Sequence, residues 1–137
     1  MALISSKGMY GLAAMYELCM LKSSKPVQIK DISTNANIPQ NYLEQLLSQL
    51  KKAGLVNSTR GAYGGYQLSK DANKISVKEI FEALEGGLDI AQDCTQNPAL
   101  ALFYKEKKAE LNKIFNLSLE ELIKYQQRVS RQICYNI

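Results

Sequence analysis

Leu43, Leu46, Leu47 and Leu50 fall at i, i+3, i+4 and i+7, a tight apolar stripe with helical period. Asn41, Glu44, Gln45 and Ser48 repeat the same spacing on the opposite side. The pattern predicts a helix over QNYLEQLLSQLKKAG, with Pro39 in its first turn, Lys51 and Lys52 at its C-terminal end and Gly54 as its stop. Just before it, IKDISTN reads as a shorter helix with Ile29 and Ile32 on one side. Asn35-Ala36-Asn37 makes the turn between them and Ile38 plugs the corner, since Asn tolerates left-handed backbone.

The pattern extends in both directions. Ser5 or Ser6 caps a first helix reaching about Leu21, whose stripe is Leu12, Met15, Tyr16 and Cys19. Ser23-Ser24-Lys25-Pro26 is a loop, and Val27-Gln28-Ile29 a short extended piece. Leu55-Val56 and Tyr66-Gln67-Leu68 pair as a hairpin whose loop holds Arg60, Gly61, Gly64 and Gly65, with Tyr63 at the tip. Ser76-Val77-Lys78-Glu79 is a capping box opening a helix to about Glu85, with Ile80, Phe81 and Leu84 inward and Gly86-Gly87 as the stop. Residues 88–97 have no period. Pro98 opens a long helix to about Phe115 bearing Leu100, Phe103, Tyr104, Leu111, Ile114 and Phe115. A second capping box, Ser118-Leu119-Glu120-Glu121, starts a last helix toward Val129. The long helix has no role inside a small head, and packing against a second copy of the chain gives it one.

Two short helices, a tight turn and a basic hairpin over residues 29–68 form a unit suited to duplex DNA. The outward face of its second helix offers amide, carboxylate and hydroxyl groups from Asn41, Glu44, Gln45 and Ser48, which suit base edges better than the Lys/Glu mix of a merely solvated face. Charge agrees: residues 1–70 carry net +5 and the remainder −1, a basic module joined to something else.

With 137 residues, 46% hydrophobic and 22% charged, the chain is large enough for one folded, soluble domain. It has no apolar run long enough to span a bilayer and no secretory leader at its start, so the expected compartment is the cytoplasm, with no membrane partner. Histidine is absent, which removes the commonest general base and every Ser-His or Cys-His pair. Cys19, Cys94 and Cys134 are too far apart for a closed one-chain metal site. Cys94 is the single candidate nucleophile and has no base near it in sequence, so the chain is not read as an enzyme.

The joint occurrence of SSKGMYGLAAM, DIS, NYLEQLLSQLKKAGLV, RGAYGGYQLS and ISVKEIFEALEG, in this order, resembles the Rrf-two family of winged helix-turn-helix transcription regulators over nearly the whole chain. The resemblance implies a mainly α fold: a winged head with a small β-hairpin wing over residues 1–85, a regulatory loop over 86–97, and a dimerisation helix with C-terminal helix and tail over 98–137. It implies a homodimer with its long helices crossed, set on a palindromic operator in double-stranded DNA. Asn41, Glu44 and Gln45 match the family's base-reading positions, and Arg60 its wing arginine in the minor groove. Ser5, Lys7, Tyr42, Tyr63, Gly64 and Gly65 lie where the family approaches the DNA backbone or supports the wing.

Some relatives hold an iron–sulfur cluster through three closely spaced cysteines and a further ligand in the loop before the dimer helix. Only Cys94 matches the first of these, short of the usual four ligands, so no cofactor is expected. A cluster shared across a dimer by Cys19 and Cys94, or a thiol sensor at Cys94, is the alternative, although Asp89 and Asp93 nearby disfavour a thiolate. The wing and the helix ending ALEGG look closest to the cluster-lacking, cysteine-metabolism repressor branch. That branch implies cysteine synthase as a partner, engaged by a terminal isoleucine such as Ile137; a frayed apolar tail is the competing reading. The expectation is a homodimeric, sequence-specific DNA-binding repressor. The other readings are an iron–sulfur or thiol redox-sensing regulator and a winged-helix adaptor for RNA or protein.

Overall fold

Leu43, Leu46, Leu47 and Leu50 are each 0% exposed in the computed structural model, which describes residues 2–22, 24–89 and 96–135. They belong to α3 (Gln40–Lys52). Around it pack α1 (Ser6–Leu21), α2 (Ile29–Ala36) and α4 (Val77–Glu85). Each buried leucine contributes about 1.5–3 kcal/mol over its exposed state, so packing sets which face of α3 looks outward. The helix ends with Gly54 N–H donating to the Lys51 carbonyl at 2.9 Å and Leu55 N–H to the Leu50 carbonyl at 2.9 Å. Gly54, at φ 79°, supplies the left-handed residue that this paired closure requires.

The buried face of α1 differs from the expected stripe. Met15 and Cys19 are buried as anticipated, but Leu12 and Tyr16 are only half-buried, and Gly8, Gly11, Ala14 and Leu18 complete the inward face. The reason is the close approach of α4. A Cβ on Gly11 would stand 2.0 Å from Leu84 Cδ1, and one on Gly8 would stand 2.5 Å from Glu85 Oε1. The contact is therefore built on missing side chains, which a search for large apolar residues passes over.

The hairpin pairs β1 (Val56–Thr59) with β2 (Gly65–Leu68), from Val56 opposite Leu68 to Thr59 opposite Gly65. The first strand runs three residues further than the apolar pair Leu55-Val56 suggests, because Asn57, Ser58 and Thr59 pair through backbone alone. Val27 bridges the other edge of β2, exchanging hydrogen bonds with Tyr66 at 2.9 and 2.8 Å. Both capping boxes are formed. Ser76 and Glu79 exchange bonds at 3.0 and 3.0 Å, and Ser118 and Glu121 at 2.6 and 3.2 Å.

Beyond α4 the chain continues as α5 (Pro98–Ile114), capped by Asn97 Oδ1, then a 3-10 turn (Leu119–Glu121) and α6 (Leu122–Tyr135). The second box therefore opens a 3-10 turn before the helix, and α6 passes Val129 by six residues. Nothing between Ser130 and Tyr135 is a helix breaker. The stretch between α5 and α6 is sewn to the head: Lys78 N–H donates to Phe115 O, Val77 N–H to Leu117 O and Leu119 N–H to Ile75 O, at 2.7–2.8 Å. Leu119 is fully buried in the head core, and the Phe115 ring meets Phe81 edge-on at 5.1 Å. Among the described residues no helix is long and apolar enough to cross a membrane.

Candidate nucleic-acid interface

With its leucines inward, α3 must turn its other face to solvent. Asn41, Glu44, Gln45 and Ser48 are all exposed there, adjacent along one side. The approach to α3 is rigid. Asn37 takes the left-handed conformation (φ 55°), Ile38 N–H donates to Ser33 O at 3.0 Å, and Ser33 Oγ donates to Ile38 O at 2.5 Å. Buried Ile38 fills the corner as its apolar character requires. Pro39 precedes α3 as its N-cap residue, without a side-chain cap, so the first-turn N–H groups are left for an outside acceptor and the dipole there favours an anion.

Tyr42 belongs to the same turn but is half-buried, its ring set edge-on against Tyr10 of α1 at 5.7 Å. The second turn of α1 and the first turn of α3 are thus neighbours. Lys7 is half-buried on α1. Ser5 is engaged: its N–H and Oγ both donate to Glu85 Oε1, at 2.9 and 2.6 Å.

The wing projects beside α3. Tyr63 at its tip is 94% exposed, and Arg60 at its base is exposed as well. Gly64 N–H closes the tip by donating to Gly61 O at 3.0 Å. Gly64 and Gly65 make room for neighbouring backbone: a Cβ on Gly64 would lie 2.1 Å from Thr59 O in the hairpin, and one on Gly65 would lie 2.3 Å from O of the bridging Val27. Two ties that sequence patterns did not single out hold the wing. Gln28 Nε2 donates to Ala62 O at 3.1 Å, and Lys51 Nζ donates to Ser58 Oγ at 2.6 Å. The Lys51 tie joins the C-terminal end of α3 to the wing strand. Neither contact has a local signature, because each depends on the fold bringing distant segments together.

The structure thus brings Asn41, Glu44, Gln45, Ser48 and Tyr42 together on α3 and sets Arg60, Tyr63, Gly64 and Gly65 on the wing. Ser5 and Lys7 sit at the start of α1, next to Tyr10. Cys94 and Ile137 lie outside the described residues. Cys19 is core: burial pushes its thiol above the ordinary value, Lys22 opposes this and Glu120 adds to it.

The sequence profile of the Rrf2 family, described as iron-dependent transcriptional regulators, matches residues 4–130. The chain is 38% identical over 126 residues to the HTH-type transcriptional regulator CymR of Bacillus subtilis, covering 89% of this chain and 90% of that one. It is 44% identical over 86 residues to the HTH-type regulator IscR of Escherichia coli, covering 63% of this chain and 53% of IscR. The solved structure of CymR, named there the global cysteine regulator of B. subtilis, superposes with a TM-score of 0.80 at 36% identity, covering 91% of this chain and 98% of that one. Among the described residues no three His, Cys, Asp or Glu converge, and Cys19 is buried in the core. Winged head and relatives agree: this chain belongs to the Rrf2 family of DNA-binding transcriptional regulators, in its CymR-like branch.

Proposed function

We propose that the chain acts as a homodimer that sets two winged heads on a palindromic operator and represses transcription there. One observation carries this reading. The polar face of α3 and the wing lie on the head, while α5 and α6 turn large apolar side chains to solvent. Leu100, Leu102, Phe103 and Ile114 are exposed on α5, and Tyr125, Val129 and Ile133 line α6 at intervals of four. A second copy covers such stripes and doubles the reading head, and the two-fold axis makes the preferred DNA a palindrome.

Gln45 suits a bidentate pair with adenine, Glu44 accepts from cytosine N4, and Arg60 in the minor groove favours narrowed A·T-rich DNA. Lysines and backbone N–H groups supply position and affinity without sequence information. Selection from a randomised duplex library, with sedimentation of the free protein, tests the reading. The expected result is a dimer and an enriched palindrome with half-sites about one helical turn, roughly 10 base pairs, or a multiple of it apart. A monomer, or the absence of any enriched sequence, would overturn it.

A further inference from the structure

We infer that Glu85 is a positioning residue for DNA binding, holding the start of α1 so that its next turn seats against the reading helix. The inference rests on the DNA-reading role of α3. Glu85 is the last residue of α4, yet one of its oxygens accepts three hydrogen bonds from the start of α1: Ser5 N–H at 2.9 Å, Ser5 Oγ at 2.6 Å and Gly8 N–H at 3.2 Å. Ser5 is the N-cap of α1 but makes no side-chain cap of its own. A carboxylate from 80 residues away does that work, satisfying first-turn donors and answering the positive end of the helix dipole.

The fold is shaped to admit it. Gly8 has no Cβ where the Glu85 oxygen sits, and Gly11, one turn on, has none where Leu84 enters. The turn so fixed carries Lys7, and three residues further on Tyr10 meets Tyr42 of α3 edge-on. Glu85 therefore sets the height and pitch of α1 where α1 meets the base-reading helix. Ser5 is its partner in this latch; its N–H and hydroxyl are already committed, so it is not a free donor to phosphate.

The sign of the effect makes the inference testable. Removing a negative charge from a protein that binds a polyanion strengthens binding by long-range electrostatics. Loss of a positioning contact weakens it. The comparison uses full-length protein, a duplex selected by the wild type from a random library, and a scrambled duplex of the same composition. Glu85→Gln keeps the side-chain volume and is expected to weaken binding to the selected duplex about tenfold. It should also make the salt dependence shallower by about one phosphate contact. Glu82→Gln removes the same charge one turn earlier on α4, where Glu82 is paired with Lys78 at 3.6 Å, and is expected to leave binding unchanged or slightly stronger. Gly8→Ala favours the helix but drives a methyl into the Glu85 oxygen, and is expected to reproduce the Glu85→Gln loss with α-helical content retained. Wild-type affinity and salt slope in Glu85→Gln would overturn the inference while leaving DNA reading intact. Failure of the wild type to select any duplex would overturn DNA reading, and this inference with it.

Discussion

Tyr10 and Tyr42 stand edge to face, ring centroids 5.7 Å apart and planes at 89°. One ring belongs to α1 and the other to the first turn of α3, so the pair couples the two helices. An edge-on aromatic pair adds about 0.5–1.5 kcal/mol beyond its buried area. A double-mutant cycle with Tyr10→Ala and Tyr42→Ala, read by urea unfolding, should return a coupling energy in that range. Additive losses would mean the rings pack independently.

On the outward face of α3, Gln45→Ala should relax the preference at one position of the bound sequence, losing about 1–3 kcal/mol of discrimination there. Lys7→Ala should weaken every sequence alike. Affinities for single-base variants of a selected duplex separate the two. A uniform loss for Gln45→Ala would remove it from base readout.

At the wing, Gly64→Ala places a methyl 2.1 Å from the Thr59 carbonyl, a backbone atom that cannot swing aside. The hairpin must open, at a cost of about 1–3 kcal/mol in unfolding free energy. With its geometry lost, the variant should also show the weakened A·T-rich preference expected of Arg60→Ala. Chemical denaturation and binding to A·T- and G·C-flanked duplexes check both halves.

Val129 lies in the middle of the exposed stripe formed with Tyr125 and Ile133. Val129→Glu puts a charge where a second copy would bury it, and should shift the protein from dimer to monomer in sedimentation while its helical signal is kept. A sedimentation profile unchanged from the wild type would place the self-association surface elsewhere.

The thiol of Cys19 titrates above its ordinary value of 9.0, chiefly because it is buried. The folded state therefore binds its proton more tightly than the unfolded chain. Its contribution to stability is whole below the unfolded thiol pKa and is lost as pH rises through the folded one. Cys19→Ala should flatten the decline in unfolding free energy above the ordinary thiol value of 9.0. Equal alkaline declines in the two proteins would mean that other groups govern it.

Some of this was legible in the order of residues, and some was not. The leucine stripe of α3 is a local pattern: four large side chains at helical spacing left one solution, and the polar positions opposite came with it. Ile38 at the corner and the two Ser-x-x-Glu boxes are local in the same sense. The inward face of α1 was not legible as large apolar residues, because Gly8 and Gly11 carry the contact through what they lack. Glu85 was hidden for a different reason. Its partners lie about 80 residues earlier, and no periodicity connects the end of one helix to the start of another. The wing glycines were visible as conformationally free turn residues, whereas their tightest constraint is the carbonyls of Thr59 and Val27.

The backbone seam between residues 75–78 and 115–119 has a consequence for anyone exchanging parts of such regulators. Leu119 completes the core of the head, and its neighbours supply acceptors for Val77 and Lys78. A graft that cuts after Gly87 removes a plug and three strand-like bonds from the donor while leaving a foreign residue to fill a fitted hole. The exchangeable cartridge is a discontinuous one: residues up to 87 together with 115–122. A chimera that keeps both pieces from one parent should fold as a unit, and one that splits them should behave as a protein with a cavity where Leu119 belongs.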